Sequence, residues 1–127
     1  MAIKVGGTTV VSDARLIQNT KFCDTARAVT VSGGATSIDL SADDASVYRV
    51  AMGESTTITF SNPQQDQSWN MITTNSSSGY TIAFGNTVKW ADATLPTRTT
   101  ASSAVDVWTF YYDNSTYYGS LSIKNAS

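Results

Sequence analysis

The sequence predicts an all-β fold, a small antiparallel β-sandwich or jelly roll, preceded by a short N-terminal arm. Three observations carry that prediction. Apolar residues recur among Ser and Thr in short runs that alternate at period two, the spacing of a half-buried strand. Gly, Asn and Pro break these runs at the close intervals that all-β domains need for their turns. One early segment, Ser12 to Thr25, lacks the alternation.

In chain order, "IKV-GG-TTVV" (Ile3 to Val11) resembles a tiny hairpin turned at Gly6-Gly7. Ser12 to Thr25 follows without strand period, and Ser12 or Asp13 suits the cap of a short helical turn. From Arg27 to Ser32 the pattern puts Ala28 and Thr30 on one face and Val29 and Val31 on the other. Gly33-Gly34 turns the chain, and Ile38 and Leu40 then face one way. Asp43-Asp44 reads as a loop, "SVYRVAM" as a strand, and "TTITFS" as another that points Ile58 and Phe60 together. Asn62-Pro63 ends that strand, because proline cannot donate to a ladder.

"WNMITTN" sets Trp69, Met71 and Thr73 opposite Ile72, and "YTIAF" alternates Tyr80, Ile82 and Phe84. After "TVKW", a longer loop through Leu95-Pro96 rejoins a strand near Ala104. The last element is a hairpin turned around Asp113 to Thr116. The chain is thus divided into an arm, residues 1–26, and a β-domain, residues 27–127. The arm has too little core of its own and is expected to dock through Ile3, Val5, Val10, Leu16, Ile17 and Phe22.

A chain of 127 residues is long enough for one domain with an adequate core. Charged residues are only 14% of it and the net charge is −2, with the Lys and Arg scattered singly, so nucleic acid is not an expected partner. No run approaches the roughly 18 apolar residues that span a membrane, and the start has no signal-peptide pattern, so synthesis in a cytosol is expected. There is no histidine and one cysteine, Cys23. A disulfide within the chain, a Ser-His-Asp triad and the commonest zinc ligand are thereby excluded, and Cys23 reads as a small buried hydrophobe.

Asp43-Asp44 is a poor carboxylate pair for glycoside hydrolysis, and Asp39, Asp43, Asp44 and Asp66 lack the spacing of a calcium loop. Gly6-Gly7 and Gly33-Gly34 lack a phosphate-binding pattern. No enzyme, cofactor or metal is expected.

The aromatic residues are the more informative set. Trp69, Tyr80, Phe84, Trp90, Trp108 and Phe110 lie in alternating strands and are assigned to the core. Four of the six tyrosines flank the last turn as the pairs Tyr111-Tyr112 and Tyr117-Tyr118. Neighbours on a strand face opposite ways, so one member of each pair must point outward. Tyr112, Tyr117 and Tyr118 are taken as candidates for a subunit interface, the reading that the low charge of the chain favours, or, by ring stacking, for a ligand-facing surface.

"STTITFSNP" (Ser55 to Pro63) and "GYTIAFGNTVKWADATLPTRTTASSAVDVWTFYYDNSTYYGSLS" (Gly79 to Ser122) together resemble a β-domain of tailed-bacteriophage virion proteins, the type carried by tail fibres and other appendages. "IKVGGTTVVSDARLIQNT" is similar to connector motifs of such fibres. The resemblance covers most of the chain and transfers no catalytic residue. It implies a structural role in the virion, homotrimeric assembly and synthesis in a bacterial host's cytoplasm. A tail fibre normally has a long shaft. An arm of about 26 residues, if the chain is full length, suits a capsid decoration or short head-fibre protein docked on the major capsid protein or another virion protein. A tail-fibre or tail-associated module that binds a receptor or host-surface glycan is the alternative.

Overall fold

The computed structural model describes residues 3–5, 8–11, 26–31, 33–41 and 45–126. Among them are β1 (Ile3–Val5), β2 (Thr8–Val11), β3 (Ala26–Thr30), β4 (Ala35–Asp39), β5 (Val47–Met52) and β6 (Thr56–Ser61). There follow β7 (Gln67–Asn75), β8 (Ile82–Phe84), β9 (Val88–Lys89), β10 (Val105–Tyr112) and β11 (Tyr117–Ala126). The all-β expectation holds. No helix among the described residues is long and apolar enough to cross a membrane.

The antiparallel expectation needs correction. β1 and β2 pair antiparallel, as do β7 with β10 and β10 with β11. The other five pairings, β3–β5, β5–β7, β4–β6, β6–β8 and β9–β11, are parallel. The result is a six-stranded mixed sheet in the order β3-β5-β7-β10-β11-β9 and a three-stranded parallel sheet in the order β4-β6-β8. From β3 to β8 the chain alternates between the two sheets, and each strand lies parallel to the one two before it. It is a coil.

Register partners on successive turns are 21 residues apart at Ala26 and Val47, 22 at Ala35 and Thr57, and 23 at Val47 and Asn70. Parallel neighbours need a crossover of a dozen or more residues. Here each crossover is itself a strand of the other sheet. The turn expected at Gly33-Gly34 carries the chain across from one sheet to the other, with φ of 71° and 73° that glycine adopts without strain.

Alternation assigned the faces correctly. Tyr48, Val50 and Met52 of β5, Trp69 and Met71 of β7, and Trp108 and Phe110 of β10 point from the large sheet into one core. Ile38, Ile58, Phe60 and Ile82 meet them from the small sheet. Phe60 sits edge-on to Trp69 at 5.1 Å and to Phe110 at 4.8 Å. Tyr80, Phe84 and Trp90, also assigned to the core, pack against it half-buried. Each fully buried large side chain contributes about 1.5–3 kcal/mol of hydrophobic stabilisation.

Two details close the coil. After β8, the Asn86 side chain accepts from the Phe60 amide (2.7 Å) and donates to its carbonyl (3.0 Å), extending the small sheet's ladder by one rung. At Gly119 a Cβ would lie 2.6 Å from the Trp90 ring, so only glycine lets that indole rest on β11.

At the other end of the hairpin strands is a buried polar knot. Asp106 is 1% exposed and accepts from the amides of Thr99 (2.7 Å) and Asn125 (2.8 Å). Arg98, also buried, donates to the Tyr80 carbonyl and to Asn75 Oδ1. Asn75 in turn donates to the carbonyls of Thr99 and Ala101. Burial pushes the Arg98 guanidinium below its ordinary pKa, and the Asp106 charge opposes that shift. The knot ties the long loop after β9 to β7, β10 and β11.

Candidate binding face

The outward side of the large sheet is built by register. Residues paired across the ladder share a face, so the outer surface falls into rows running across the strands. The first row is Ser68, Tyr111, Tyr118 and Lys89, from β7, β10, β11 and β9. The second is Ala26, Val47, Asn70, Thr109 and Ser120. The third is Ala28, Arg49, Ile72, Val107 and Ile123.

The rows differ in chemistry. In the first, Tyr111 and Tyr118 are about 40% exposed and stand directly opposite one another, with ring centroids 6.4 Å apart. Each ring is tethered at its far end. Tyr111 Oη donates to Asp66 Oδ1 (2.7 Å), and Tyr118 Oη to Asp113 Oδ2 (3.2 Å). In the second row, Thr109 Oγ1 donates to Asn70 Oδ1 (3.0 Å) and lies 2.7 Å from Ser122 Oγ. Ser122 shares this face with Ser120, 3.4 Å away, by alternation, and a register shift between Val107 and Trp108 then brings Ile123 onto it as well. The third row is apolar at one end, where Ile123 is 51% exposed beside Val107 and Ile72.

The turn beneath the tyrosines is self-stabilised. The Asp113 carboxylate accepts from the amides of Ser115 (3.0 Å) and Thr116 (2.8 Å) and from the Ser115 hydroxyl (3.1 Å), while Asn114 takes a φ of 80°. Those amides hold the Asp113 carboxyl below its ordinary pKa, and the Ser115 and Tyr118 hydroxyls add to the effect. Tyr111 is shifted up, chiefly because its proton is engaged by the Asp66 carboxylate.

Of the predicted outward tyrosines, Tyr118 is exposed, but Tyr112 and Tyr117 lie on the inner side and pack against the core. Their rings are 4.8 Å apart, and burial raises the Tyr117 pKa. The outward pair is Tyr111 with Tyr118. The even spacing of β10 continues Trp108 and Phe110 inward to Tyr112, and the turn then returns Tyr117 on the same side.

The tethering acids Asp66 and Asp113 were not singled out for this face, since only the pairing of β7 with β10 brings Asp66 to Tyr111. Ile3, Val5 and Val10 fall within β1 and β2, and the expected hairpin there is present. Leu16, Ile17, Phe22, Cys23, Asp43 and Asp44 lie outside the described residues. Among the described residues no three acidic, Cys or His side chains converge as metal ligands. The Asp39 carboxylate bonds Ser41 and Asn62, which lower its pKa.

The chain matches no protein-family model, no curated protein and no solved structure.

Proposed function

We propose that this chain is a structural protein of a tailed-bacteriophage particle: a capsid decoration or short head-fibre protein, anchored by residues 1–26 and assembled as a homotrimer. The ordered motif set from Ser55 to Ser122 supports the virion role. The structural observation that carries it is the third row of the outer face. Ile72, Val107 and Ile123 place apolar surface on an open sheet, and the stem of Arg49 extends it. Contact with another copy or with a shell protein removes that surface from water. Within this reading the two-sheet coil is a rigid body and carries no catalysis. A tail-fibre or tail-associated module that binds a host receptor or glycan is the second reading, favoured by the exposed Tyr111–Tyr118 pair.

The test is mass spectrometry and electron cryo-microscopy of purified particles from the phage that encodes the chain. The chain is expected at fixed stoichiometry in the particle. A version lacking residues 1–26 is expected to fold and fail to attach. Absence of the chain from purified particles refutes the virion role. Full occupancy by the truncated version refutes the anchor.

A further inference from the structure

We propose that the outer face around Tyr111 and Tyr118 binds a neutral glycan, the two rings forming its stacking floor and Asn70, Thr109, Ser120 and Ser122 its hydrogen-bonding edge. The inference rests on the second reading above, which it narrows to a ligand class and a set of contacts, and does not depend on the capsid-decoration reading.

A pyranose ring has an apolar C–H face and a rim of hydroxyls, each both donor and acceptor. A surface that recognises it needs an aromatic face beside groups of the same dual character. The first and second rows supply the two. Rows on one face of a strand are two residues apart, roughly 7 Å, the breadth of a single sugar ring. Between them lies a shallow hollow of about 210 Å³, lined by Thr109, Tyr111, Tyr118 and Ser120 together with Phe110 and Gly119. Ser68, the partner of Tyr111 in the first row, also borders a larger cleft of about 580 Å³ that includes Gln64, Gln67 and Ser41.

The tyrosines are ordered in advance. Each ring is fixed at Cβ by its strand and at Oη by a carboxylate, and Asp113 is itself fixed by three bonds from its turn. Little side-chain freedom is left to lose on binding. Asp66 and Asp113 at the tyrosine hydroxyls outweigh Lys89, the cation in the tyrosines' row, and repel an anionic sugar, so the class is a neutral hexose or N-acetylhexosamine chain. A second copy of this chain fits the spot poorly. Tyrosine is at home in a protein interface, but the centre of one is depleted in the Asp and Ser that surround these two rings, and the exposed aliphatic side chain of this face, Ile123, lies in the third row instead.

The test uses the full chain, labelled with 15N, and five probes at millimolar concentration: maltohexaose, cellohexaose, mannohexaose, galactohexaose and chitohexaose. At least one probe is expected to shift the amides of Thr109–Tyr111 and Tyr118–Ser122 saturably. Tyr118→Ala and Tyr111→Ala are each expected to weaken binding about tenfold, the worth of one aromatic contact. Tyr111→Phe keeps the ring, loses the tether to Asp66, and is expected to weaken binding less. Amides elsewhere report that the variants remain folded. The proposal is overturned if no probe moves these amides, or if binding is unchanged in both alanine variants. It is also overturned if Tyr118→Ala splits an oligomer in sedimentation, which makes the face a contact between copies.

Discussion

Replacing Asp106 by asparagine changes almost no volume, yet it is expected to be among the costlier single substitutions in the body. The carboxylate is 1% exposed and accepts two backbone amides, from Thr99 at 2.7 Å and Asn125 at 2.8 Å. A carboxamide has one acceptor oxygen and one donor nitrogen, so one of the two amides must face another donor. The loss is one charge-assisted hydrogen bond, about 1.5–3 kcal/mol, and an amide donor left without a partner adds about 1–3 kcal/mol. Local relaxation recovers part of this, and a net loss of about 3 kcal/mol is expected. For a domain of this length that lowers Tm by on the order of 10 °C. Urea unfolding, followed by the fluorescence of buried Trp69 and Trp108, measures it directly. Asp113→Asn, in the solvent-exposed turn, is the control and should cost much less. If Asp106→Asn stays within about 0.5 kcal/mol of the parent, the knot does not hold the loop and strands together as described.

Gly119→Ala places a Cβ 2.6 Å from the Trp90 ring and 3.0 Å from Phe110. The indole must move, at a cost of about 1–3 kcal/mol, and tryptophan emission should shift to the red; unchanged emission and stability would show that Trp90 does not rest there. The Asp113 carboxyl is expected to titrate below its ordinary value of 3.8, because the amides of Thr116 and Ser115 stabilise the charged form. A folded-state pKa below the unfolded one means that its contribution to the turn is fully present above the unfolded value. That contribution is lost as pH falls through the folded value. Carbon-13 titration of the side-chain carboxyl checks this, and a midpoint at or above 3.8 contradicts it.

The sequence was most informative about faces. Val29 against Ala28, Ile58 with Phe60, and Trp69 with Met71 were all placed by alternation, because burial imposes period two on any strand with one wet side. Partners were less legible. A run such as "TTITFS" reads the same beside a parallel or an antiparallel neighbour, and Gly33-Gly34 serves a hairpin and a crossing between sheets equally well. The tyrosine pairs show the same limit at finer scale. Alternation required one of each pair to face out, but choosing Tyr111 and Tyr118 needed the inward run Trp108, Phe110, Tyr112 to be anchored in the core. The knot of Asn75, Arg98 and Asp106 joins residues spread over 31 positions with no motif between them, so nothing in the sequence announced it.

Because successive turns of the coil meet their neighbours at a nearly constant offset of 21 to 23 residues in the large sheet, height is set by the number of turns and cross-section by the turn itself. Such a body lengthens by tandem duplication: one further turn slipped in between β5 and β7 lifts the closing hairpin by a single strand spacing, roughly 5 Å, and leaves its outer face intact. The hairpin is a fixed end on a column of adjustable height, and selection can change the height and the hairpin's outer face separately.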